Sequence, residues 1–209
     1  MIVIGLTGPS GAGKSVIAGV FEGFGIPSIN ADEVYHKLLC DSAELRDELV
    51  LAFGKEILSP DGHIDRRMLA GIVFGKENSP ALLHTLNNIT HKYVMATVRQ
   101  LIRTARENGQ KALLFDAPLL FDAPLLFEAN AADDCDVIIG VLASPGTCLA
   151  RILSRDGISE RAAKERMASQ PDDSFYRTRC HYILDNDTGV AEITEQIREI
   201  LHSIGLGDM

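Results

Sequence analysis

The chain has 209 residues and a formal net charge of −9. Apolar residues make up 46% and charged residues 23%, which is ordinary globular composition and argues against disorder. The length fits one domain, or one core with an inserted subdomain. The acidic balance argues against a general nucleic-acid or anionic-membrane binder, since both would favour a basic surface. A local basic pocket for one phosphorylated small molecule remains compatible with it.

Cysteine and histidine spacing bears on the compartment and on metals. The four cysteines form no C-x-x-C pair, and the six histidines show no zinc-ligand spacing. No apolar run approaches the roughly 20 residues that cross a bilayer, and the N-terminus lacks a basic leader. We therefore expect a cytoplasmic protein in a reducing compartment, with no membrane or nucleic-acid partner, either a monomer or a weak homo-oligomer.

The first elements in chain order form a predicted βαβ unit. Residues 2–6 are a continuous apolar run, typical of a strand buried on both faces of a parallel sheet. Apolar residues then recur at helical spacing until Gly25, which is placed to end that helix, with Pro27 just beyond. Residues 26–29 predict a second strand that leads into Asn30-Ala31-Asp32.

Helical patterns dominate residues 33–109, and strands return after them. We interpret 33–109 as a helical subdomain and residues 1–32 with 110–209 as the core of the protein. Further strands are predicted at 111–116, 137–142 and 181–185, an Arg-rich helical segment over 147–170, and a closing helix over 190–203. Alternating strands and helices predict an α/β fold: a doubly wound parallel sheet of about five strands.

A six-residue tandem duplication interrupts this pattern. Residues 115–120 (Phe-Asp-Ala-Pro-Leu-Leu) are repeated at once as residues 121–126. Because six is even, a strand shifted by one copy keeps the same faces inside and outside, so two registers compete. We favour 111–116 as the strand, since the alternative puts Pro118 inside a central strand and removes a ladder donor. The second copy would then bulge out after the strand.

Residues 8–15 carry the strongest chemical signal. Gly8-Pro9-Ser10-Gly11-Ala12-Gly13-Lys14-Ser15 fits G-x-x-x-x-G-K-[ST], and it follows a predicted strand and opens a predicted helix. In such a loop the backbone N–H groups and the helix N-terminus bind phosphates. The Lys14 ammonium is expected at the β- and γ-phosphates, and the Ser15 hydroxyl at Mg²⁺. The predicted ATP-binding residues are Gly8, Gly11, Ala12, Gly13, Lys14, Ser15 and Val16.

The acceptor side points to a small kinase. The guanine-binding N-K-x-D signature of GTPases is absent, and the chain is short for a motor. A kinase needs a group that orients the acceptor hydroxyl and takes its proton. Asp32 follows the second predicted strand at the ligand-binding edge of the sheet and suits that role. A helix N-cap is the alternative role for Asp32, and both roles can hold.

Further acids and arginines complete the predicted site. Asp116, or Asp122 in the shifted register, ends a strand as a metal-site acid does. Arg151 and Arg155 lie one helical turn apart within the Arg-rich segment, which is predicted to be a lid over the transferred phosphoryl group. Asp156-Gly157 would break that helix and form the tip of the lid. A solvated helix face is the structural alternative for any one of these arginines.

An ordered set of motifs resembles the dephospho-CoA kinase family nearly end to end. The shared pieces are residues 4–8 before the phosphate loop, 29–32, 62–66 with Leu69 and 73–74, 86–91, 122–128, 151–156, 166–170 and 182–186. The resemblance implies a phosphate-loop kinase core, a helical subdomain for the coenzyme A moiety and a lid. It implies the reaction of ATP with 3′-dephospho-coenzyme A to give ADP and coenzyme A, with Asp32 at the acceptor hydroxyl.

Three departures accompany this resemblance. Lys92 stands where the family usually has Pro, Val16 where Thr is common, and the duplication lies outside the pattern. Two alternatives to the implied function stay open. One is a phosphate-loop kinase with another small hydroxyl acceptor, and the other is a nucleotide-binding module inactivated by the duplication.

Overall fold

The computed structural model describes residues 1–75, 80–117, 119–120, 123–128, 131–187 and 189–207. The strands are β1 (Ile2–Thr7), β2 (Ser28–Asn30), β3 (Ala112–Asp116), β4 (Leu119–Leu120), β5 (Ala123–Pro124), β6 (Val137–Leu142) and β7 (Tyr182–Asp185). The helices are α1 (Lys14–Gly23), α2 (Ala31–Asp41), α3 (Ala43–Phe53), α4 (Arg66–Val73), α5 (Pro80–Glu107), α6 (Leu125–Glu128), α7 (Pro145–Asp156), α8 (Glu160–Ala168), α9 (Asp173–Arg179) and α10 (Val190–Ser203). Two compact units result: Met1–Asn30 with Leu101–Met209, and Ala31–Gln100.

The first unit is built on a parallel five-stranded sheet in the order β2-β3-β1-β6-β7. The predicted parallel α/β fold is therefore confirmed. Strand β1 lies in the middle, and Leu6 pairs in register with Asp116, which also pairs with Asn30 of β2. Because the strands are parallel, their carboxyl ends lie at one edge of the sheet, where ligands of such folds bind.

Alternating residues divide the sheet into two buried faces. On one face, Ile4 and Leu6 of β1 and Ile139 and Val141 of β6 pack in a single core with α1 and α10. The helix residues of that core are Ile17, Ala18, Phe21, Ile193, Ile197, Ile200 and Leu201. Burial on both faces explains why these strands are continuous apolar runs in the sequence.

On the opposite face of the sheet, the backbone of β1 and β6 lies close to the side chains that cover it. A Cβ on Gly5 would lie 2.9 Å from the Sγ atom of Cys135 and 3.2 Å from a methyl of Leu126. On β6, a Cβ on Gly140 would lie 2.9 Å from the Sγ atom of Cys180. Glycine at these two positions therefore lets cysteine side chains reach the sheet.

The first copy of the duplication enters the sheet. Phe115 and Asp116 are the last residues of β3 and are buried, which confirms the favoured register. Strands β4 and β5 form a separate antiparallel pair after β3, where a bulge was predicted. Asp122, the acid of the second copy, lies outside the described residues.

The helices depart from the expected pattern in detail. The start of the helical region 33–109 forms two helices, α2 and α3, because the Ser42 side chain caps the N-terminus of α3 by accepting a hydrogen bond from the backbone N–H of Leu45. The segment 147–170 divides into α7 and α8 at Gly157, which has φ of +62° and ends α7 as predicted. Helix α9, capped by Asp172, was not predicted.

The second unit is helical. Glu48 of α3 joins α5 through two hydrogen bonds: Lys92 Nζ donates over 2.8 Å and Tyr93 Oη over 2.7 Å. The turn Ser59–Gly62 is closed by a bridge between Leu58 and Ile64. No helix in the described part of the chain is long and apolar enough to cross a membrane.

Candidate active site

The loop of residues 8–15 joins the carboxyl end of β1 to the amino end of α1. Gly11 and Gly13 have φ of +81° and +94°, values that glycine adopts at little cost. A Cβ on Gly11 would lie 2.5 Å from the carbonyl oxygen of Cys148, so space also requires glycine there. A loop of this kind at a helix N-terminus aims backbone N–H groups at one anion.

Lys14 is folded back over this loop. Its Nζ donates to the carbonyl oxygen of Gly8 over 2.7 Å and to that of Pro9 over 3.1 Å. The ammonium is therefore held at the mouth of the loop by main-chain oxygens. A phosphate can replace those neutral acceptors and gain a stronger, charge-assisted hydrogen bond.

Two side chains hold the loop from its carbonyl side. The Asn186 Nδ2 atom donates to the carbonyl oxygen of Ala12 over 2.7 Å, and Asn186 is buried. Arg151 Nη1 donates to the same oxygen over 3.0 Å and to the oxygen of Gly11 over 3.3 Å. Arg151 Nη2 also donates to the Asn186 carbonyl over 3.0 Å. These contacts fix the Gly11 and Ala12 carbonyls and so hold this part of the loop in one shape.

Arg155 and Arg166 share one carboxylate. Arg155 donates to Asp156 through Nε (2.6 Å) and Nη2 (2.9 Å), and Arg166 Nη1 donates to it over 2.5 Å. The hydrogen bonds from Arg155, followed by those from Arg166, hold the pKa of Asp156 below its usual range. Arg155 also reaches the phosphate loop, with Nη2 3.4 Å from Ser10 Oγ. The Asp156 carboxylate with its two arginines therefore connects the end of α7 to α8 and to the phosphate loop.

Gln170 is a further contact to the loop. Its Oε1 atom accepts a hydrogen bond from the backbone N–H of Ser10 over 2.8 Å. The residue stands in the turn that ends α8, where its own N–H donates to the carbonyl of Met167 over 3.3 Å. The side chain thus joins the predicted lid segment to the phosphate loop.

Asp116 lies at the carboxyl edge of the sheet, beside the start of the loop. It is buried, and its Oδ2 accepts from Asn30 Nδ2 over 3.0 Å. Ser15, in the first turn of α1, presents an exposed hydroxyl. A carboxylate and a hydroxyl are the oxygen ligands that Mg²⁺ prefers, and this metal is usually held by one or two protein groups plus substrate phosphates. The described residues include no cluster of three or more His, Cys, Asp or Glu.

Asp32 lies in the second unit, in the first turn of α2 and two residues past β2. Because α2 begins at Ala31, Asp32 is a helical residue and not the N-cap. Burial raises the pKa of Tyr35 to about 12, with the Arg66 charge opposing and the Asp32 charge adding to the shift. Burial and then Arg66 lower the pKa of His36, against the Asp32 charge. These shifts mean that Asp32 and Arg66 act on the same small group of side chains.

The structure brings together most of the predicted residues of the first unit. The loop, Lys14, Arg151 and Arg155 lie in one hydrogen-bonded network. Arg151 contacts loop carbonyls here, and its predicted catalytic role stays a prediction. Sequence reasoning did not assign a site role to Asn186, Gln170 or Arg66. All three stand in the motif pieces 62–66, 166–170 and 182–186 that carry the family resemblance. Asn186 also follows a predicted strand at the same edge of the sheet as the loop.

This fold and this loop define a phosphate-loop nucleotide-binding protein, with Lys14 held over the loop and two arginines on a separate helix in contact with it. The sequence model of dephospho-CoA kinases matches residues 2–192. The chain therefore belongs to the dephospho-CoA kinase family.

Curated relatives agree over nearly the full length. The dephospho-CoA kinase of Geobacter metallireducens is 38% identical over 196 residues, which cover 94% of this chain and 92% of the relative. That of Arabidopsis thaliana is 33% identical over 205 residues, covering 98% of this chain and 84% of the relative. The family pattern thus extends across both compact units.

Solved structures show the same fold. A dephospho-CoA kinase from Campylobacter jejuni matches with a TM-score of 0.68 at 27% identity, covering 99% of this chain and 98% of that one. A Thermus thermophilus protein matches with a TM-score of 0.79 at 25% identity, covering 98% and 97%. A shikimate kinase from Bacteroides thetaiotaomicron, at 12% identity and a TM-score of 0.55, shares the fold alone, with 96% and 98% covered.

Proposed function

We propose that this chain transfers the γ-phosphoryl group of ATP to the ribose 3′-hydroxyl of 3′-dephospho-coenzyme A, giving ADP and coenzyme A, the last step of coenzyme A biosynthesis. The observation that carries the proposal is the family match over residues 2–192, with the phosphate loop intact inside it. We propose that the protein works in the cytoplasm as a monomer or weak homo-oligomer.

In this proposal the loop binds the nucleotide. Its N–H groups and the N-terminus of α1 donate hydrogen bonds to the β-phosphate, and Lys14 leaves the Gly8 and Pro9 carbonyls for the β- and γ-phosphates. The carbonyl contacts of Asn186 and Arg151 keep the loop in that shape before ATP arrives. Preorganised donors of this kind lower the barrier because they need no rearrangement as charge develops.

Asp32 acts on the acceptor. Its carboxylate accepts the proton of the 3′-hydroxyl as that oxygen bonds to the γ-phosphorus and the bond from the γ-phosphorus to the β,γ-bridging oxygen breaks. ADP leaves with the electron pair of that bond. The position of Asp32, two residues past the carboxyl end of β2, supports this role. Arg155, one turn after Arg151 on α7, is proposed to neutralise charge on the transferred group.

Mg²⁺ is the proposed cofactor. Ser15 and Asp116 would hold it, because both present hard oxygen atoms next to the phosphate loop. When bound, the ion neutralises negative charge on the phosphate oxygens. We further propose residues 33–109 as the coenzyme A subdomain, 1–32 with 110–209 as the nucleotide-binding core, and residues 147–170 as a lid.

A coupled ADP-release assay tests the acceptor. With ATP and MgCl₂ constant, we expect turnover with dephospho-coenzyme A to exceed turnover with uridine or gluconate by orders of magnitude. Phosphate on the 3′-oxygen of the product, identified by ³¹P NMR, would fix the site of transfer. Equal or better turnover with uridine or gluconate would overturn the proposed acceptor. Nucleotide binding without any product would instead indicate a binding module inactivated by the duplication.

A further inference from the structure

Gln170 is held by hydrogen bonds both at its backbone and at its side-chain carboxamide. Its backbone closes the turn after α8 through the hydrogen bond to Met167, and Pro171 follows directly. Its carboxamide is held by the Ser10 N–H over 2.8 Å. Ser10 is the third residue of the phosphate loop. A polar group from a distant part of the chain is therefore held against the loop in one orientation.

That orientation is set by chemistry. A backbone N–H only donates, so the atom of the carboxamide that faces Ser10 must be the oxygen. The Nε2 atom of the same group, with two N–H donors, then points away from the Ser10 N–H while staying beside the loop. The Ser10 N–H therefore determines which atom of the Gln170 carboxamide is oxygen and which is nitrogen.

The Nε2 atom is buried and has no hydrogen-bond partner among the residues that the structure describes. Buried donors of this kind are rare in proteins, because burial removes water without replacing its hydrogen bond. Such groups concentrate where a ligand completes them. An amide N–H requires an oxygen acceptor, so the ligand must bring an oxygen to this point.

The surrounding charges select an anionic oxygen. Arg155 Nη2 lies 3.4 Å from Ser10 Oγ, and Lys14 Nζ lies 3.1 Å from the carbonyl of the neighbouring Pro9. The nearby carboxylate, Asp156, is engaged by Arg155 and Arg166. Two cationic side chains thus contact the loop at or next to Ser10. A phosphate group carries several anionic oxygens, so it can accept hydrogen bonds from an amide N–H and from cations at the same time.

We propose that Gln170 is a catalytic residue that binds the terminal phosphate of ATP, and this rests on the proposed function only in taking ATP as the nucleotide. Oε1 holds the Ser10 N–H, and Nε2 donates to an oxygen of the γ-phosphoryl group. Because ADP lacks that oxygen, the contact distinguishes ATP from ADP. Because Gln170 lies in the turn after α8, the same hydrogen bond also connects the lid segment to the γ-phosphoryl group when ATP is bound.

The test compares ATP and ADP affinities, measured by calorimetry with Mg²⁺, in Gln170→Glu and Gln170→Leu. Gln170→Glu keeps an oxygen for the Ser10 N–H and removes the donor, whereas Gln170→Leu removes both. We expect both variants to weaken ATP relative to ADP by roughly 10- to 100-fold, as expected for a lost hydrogen bond to a charged group. The turnover number should fall by a similar factor.

A merely structural Gln170 predicts a different pattern. If it only held the loop, Gln170→Leu would weaken ATP and ADP equally, and Gln170→Glu would disturb neither by more than its added charge does. A ratio of ATP to ADP affinity within twofold of wild type in both variants would overturn the proposal. Gln110, an exposed residue before β3 at the opposite edge of the sheet, provides matched controls as Gln110→Glu and Gln110→Leu. Direct binding needs no acceptor, so a failed acceptor assignment would not decide this test.

Discussion

Asn186 and Ala12 are 174 positions apart in the chain, yet the Asn186 side chain donates a 2.7 Å hydrogen bond to the Ala12 carbonyl. The contact is buried and connects the end of β7 with the middle of the phosphate loop. Together with Arg151, it shows that the loop is supported by the sheet edge behind it as well as by its own glycines.

Removing that support should weaken nucleotide binding. In Asn186→Ala the Ala12 carbonyl loses one donor, and a buried hydrogen bond of this type is worth about 1 kcal/mol. We expect the Kd for ATP, measured by calorimetry, to rise about fivefold. ADP should be affected equally, since the loop binds the β-phosphate. Asn108→Ala, at an exposed turn, is the control; unchanged ATP affinity in Asn186→Ala would contradict the supporting role.

Substitutions of Lys14 and Asp32 should affect ATP binding and turnover differently. Lys14→Ala should lower kcat/KM by roughly 10²–10³ or more and weaken ATP, since the ammonium acts on the phosphates. Asp32→Asn should keep ATP affinity and lose turnover, since it removes only the proton acceptor. Steady-state kinetics with calorimetric ATP binding separates the two. The exposed Lys111 and Asp41 give the controls Lys111→Ala and Asp41→Asn. Normal turnover in Asp32→Asn would remove it as the base.

The two acids of the duplication should not be equivalent. Asp116 ends β3 in the occupied register, so Asp116→Asn should lower the turnover number by roughly 10²-fold or more and raise the MgCl₂ concentration needed for half-maximal rate. Asp122→Asn should stay near wild type. Titrating MgCl₂ in the coupled assay measures both effects. Harmless results for both variants would mean that neither acid serves the metal.

The same substitution, glycine to alanine, should have opposite effects on stability at two positions. In Gly11→Ala the new Cβ meets the Cys148 carbonyl and φ is +81°, so we expect ATP binding to be lost and the free energy of unfolding to fall by about 1–3 kcal/mol. In Gly19→Ala, within α1, the Cβ meets nothing within 4 Å, and helix propensity should add about 0.5–1 kcal/mol. Urea denaturation followed by circular dichroism measures both. A stabilised Gly11→Ala would show that the loop has another conformation in solution.

His91, buried in α5, should make stability depend on pH. Burial lowers its pKa from about 6.5 to about 4, so the folded state binds fewer protons than the unfolded state between those values. Its contribution is complete above pH 6.5 and is lost as the pH falls towards 4. At about 1.4 kcal/mol per pKa unit, the loss is on the order of 3 kcal/mol.

Urea denaturation at pH 7.5, 6.0 and 4.5 tests this dependence, because His91→Gln should flatten the pH dependence relative to wild type. The exposed His202 gives the control His202→Gln, which should follow wild type. Parallel curves for wild type and His91→Gln would show that His91 is not held neutral by burial.

Local patterns predicted the elements that depend on local chemistry. Strand β1, the phosphate loop and α1 were predicted because a buried run, two turn glycines and a helical repeat follow one another within about twenty residues. The split between α2 and α3 was missed, because Ser42 acts as a cap only when the backbone turns there. Helix α9 was missed, because its seven residues are mostly polar and it buries Tyr176 through tertiary packing.

The support of the site could not be predicted in the same way. The contacts of Asn186 with Ala12 and of Gln170 with Ser10 join positions 174 and 160 residues apart. The position of Asn186 after a predicted strand indicated the edge of the sheet, but the local sequence at Asn186 and Gln170 does not name the loop atoms that they contact. The arginines were singled out by composition, but only the structure shows that Arg151 contacts carbonyl oxygens.

Because Cys135 packs closely against Gly5 in the middle of the sheet, the rate at which its thiol is alkylated can report local opening of the structure there. Burial raises the pKa of the Cys135 thiol to about 12, so at neutral pH it is protonated and reacts slowly with alkylating reagents. Cys40 is exposed and should be modified first. The slower alkylation of Cys135 by iodoacetamide, located by peptide mass spectrometry apart from Cys148 and Cys180, would then measure how often the middle of the sheet separates from the residues that cover it, without any mutation.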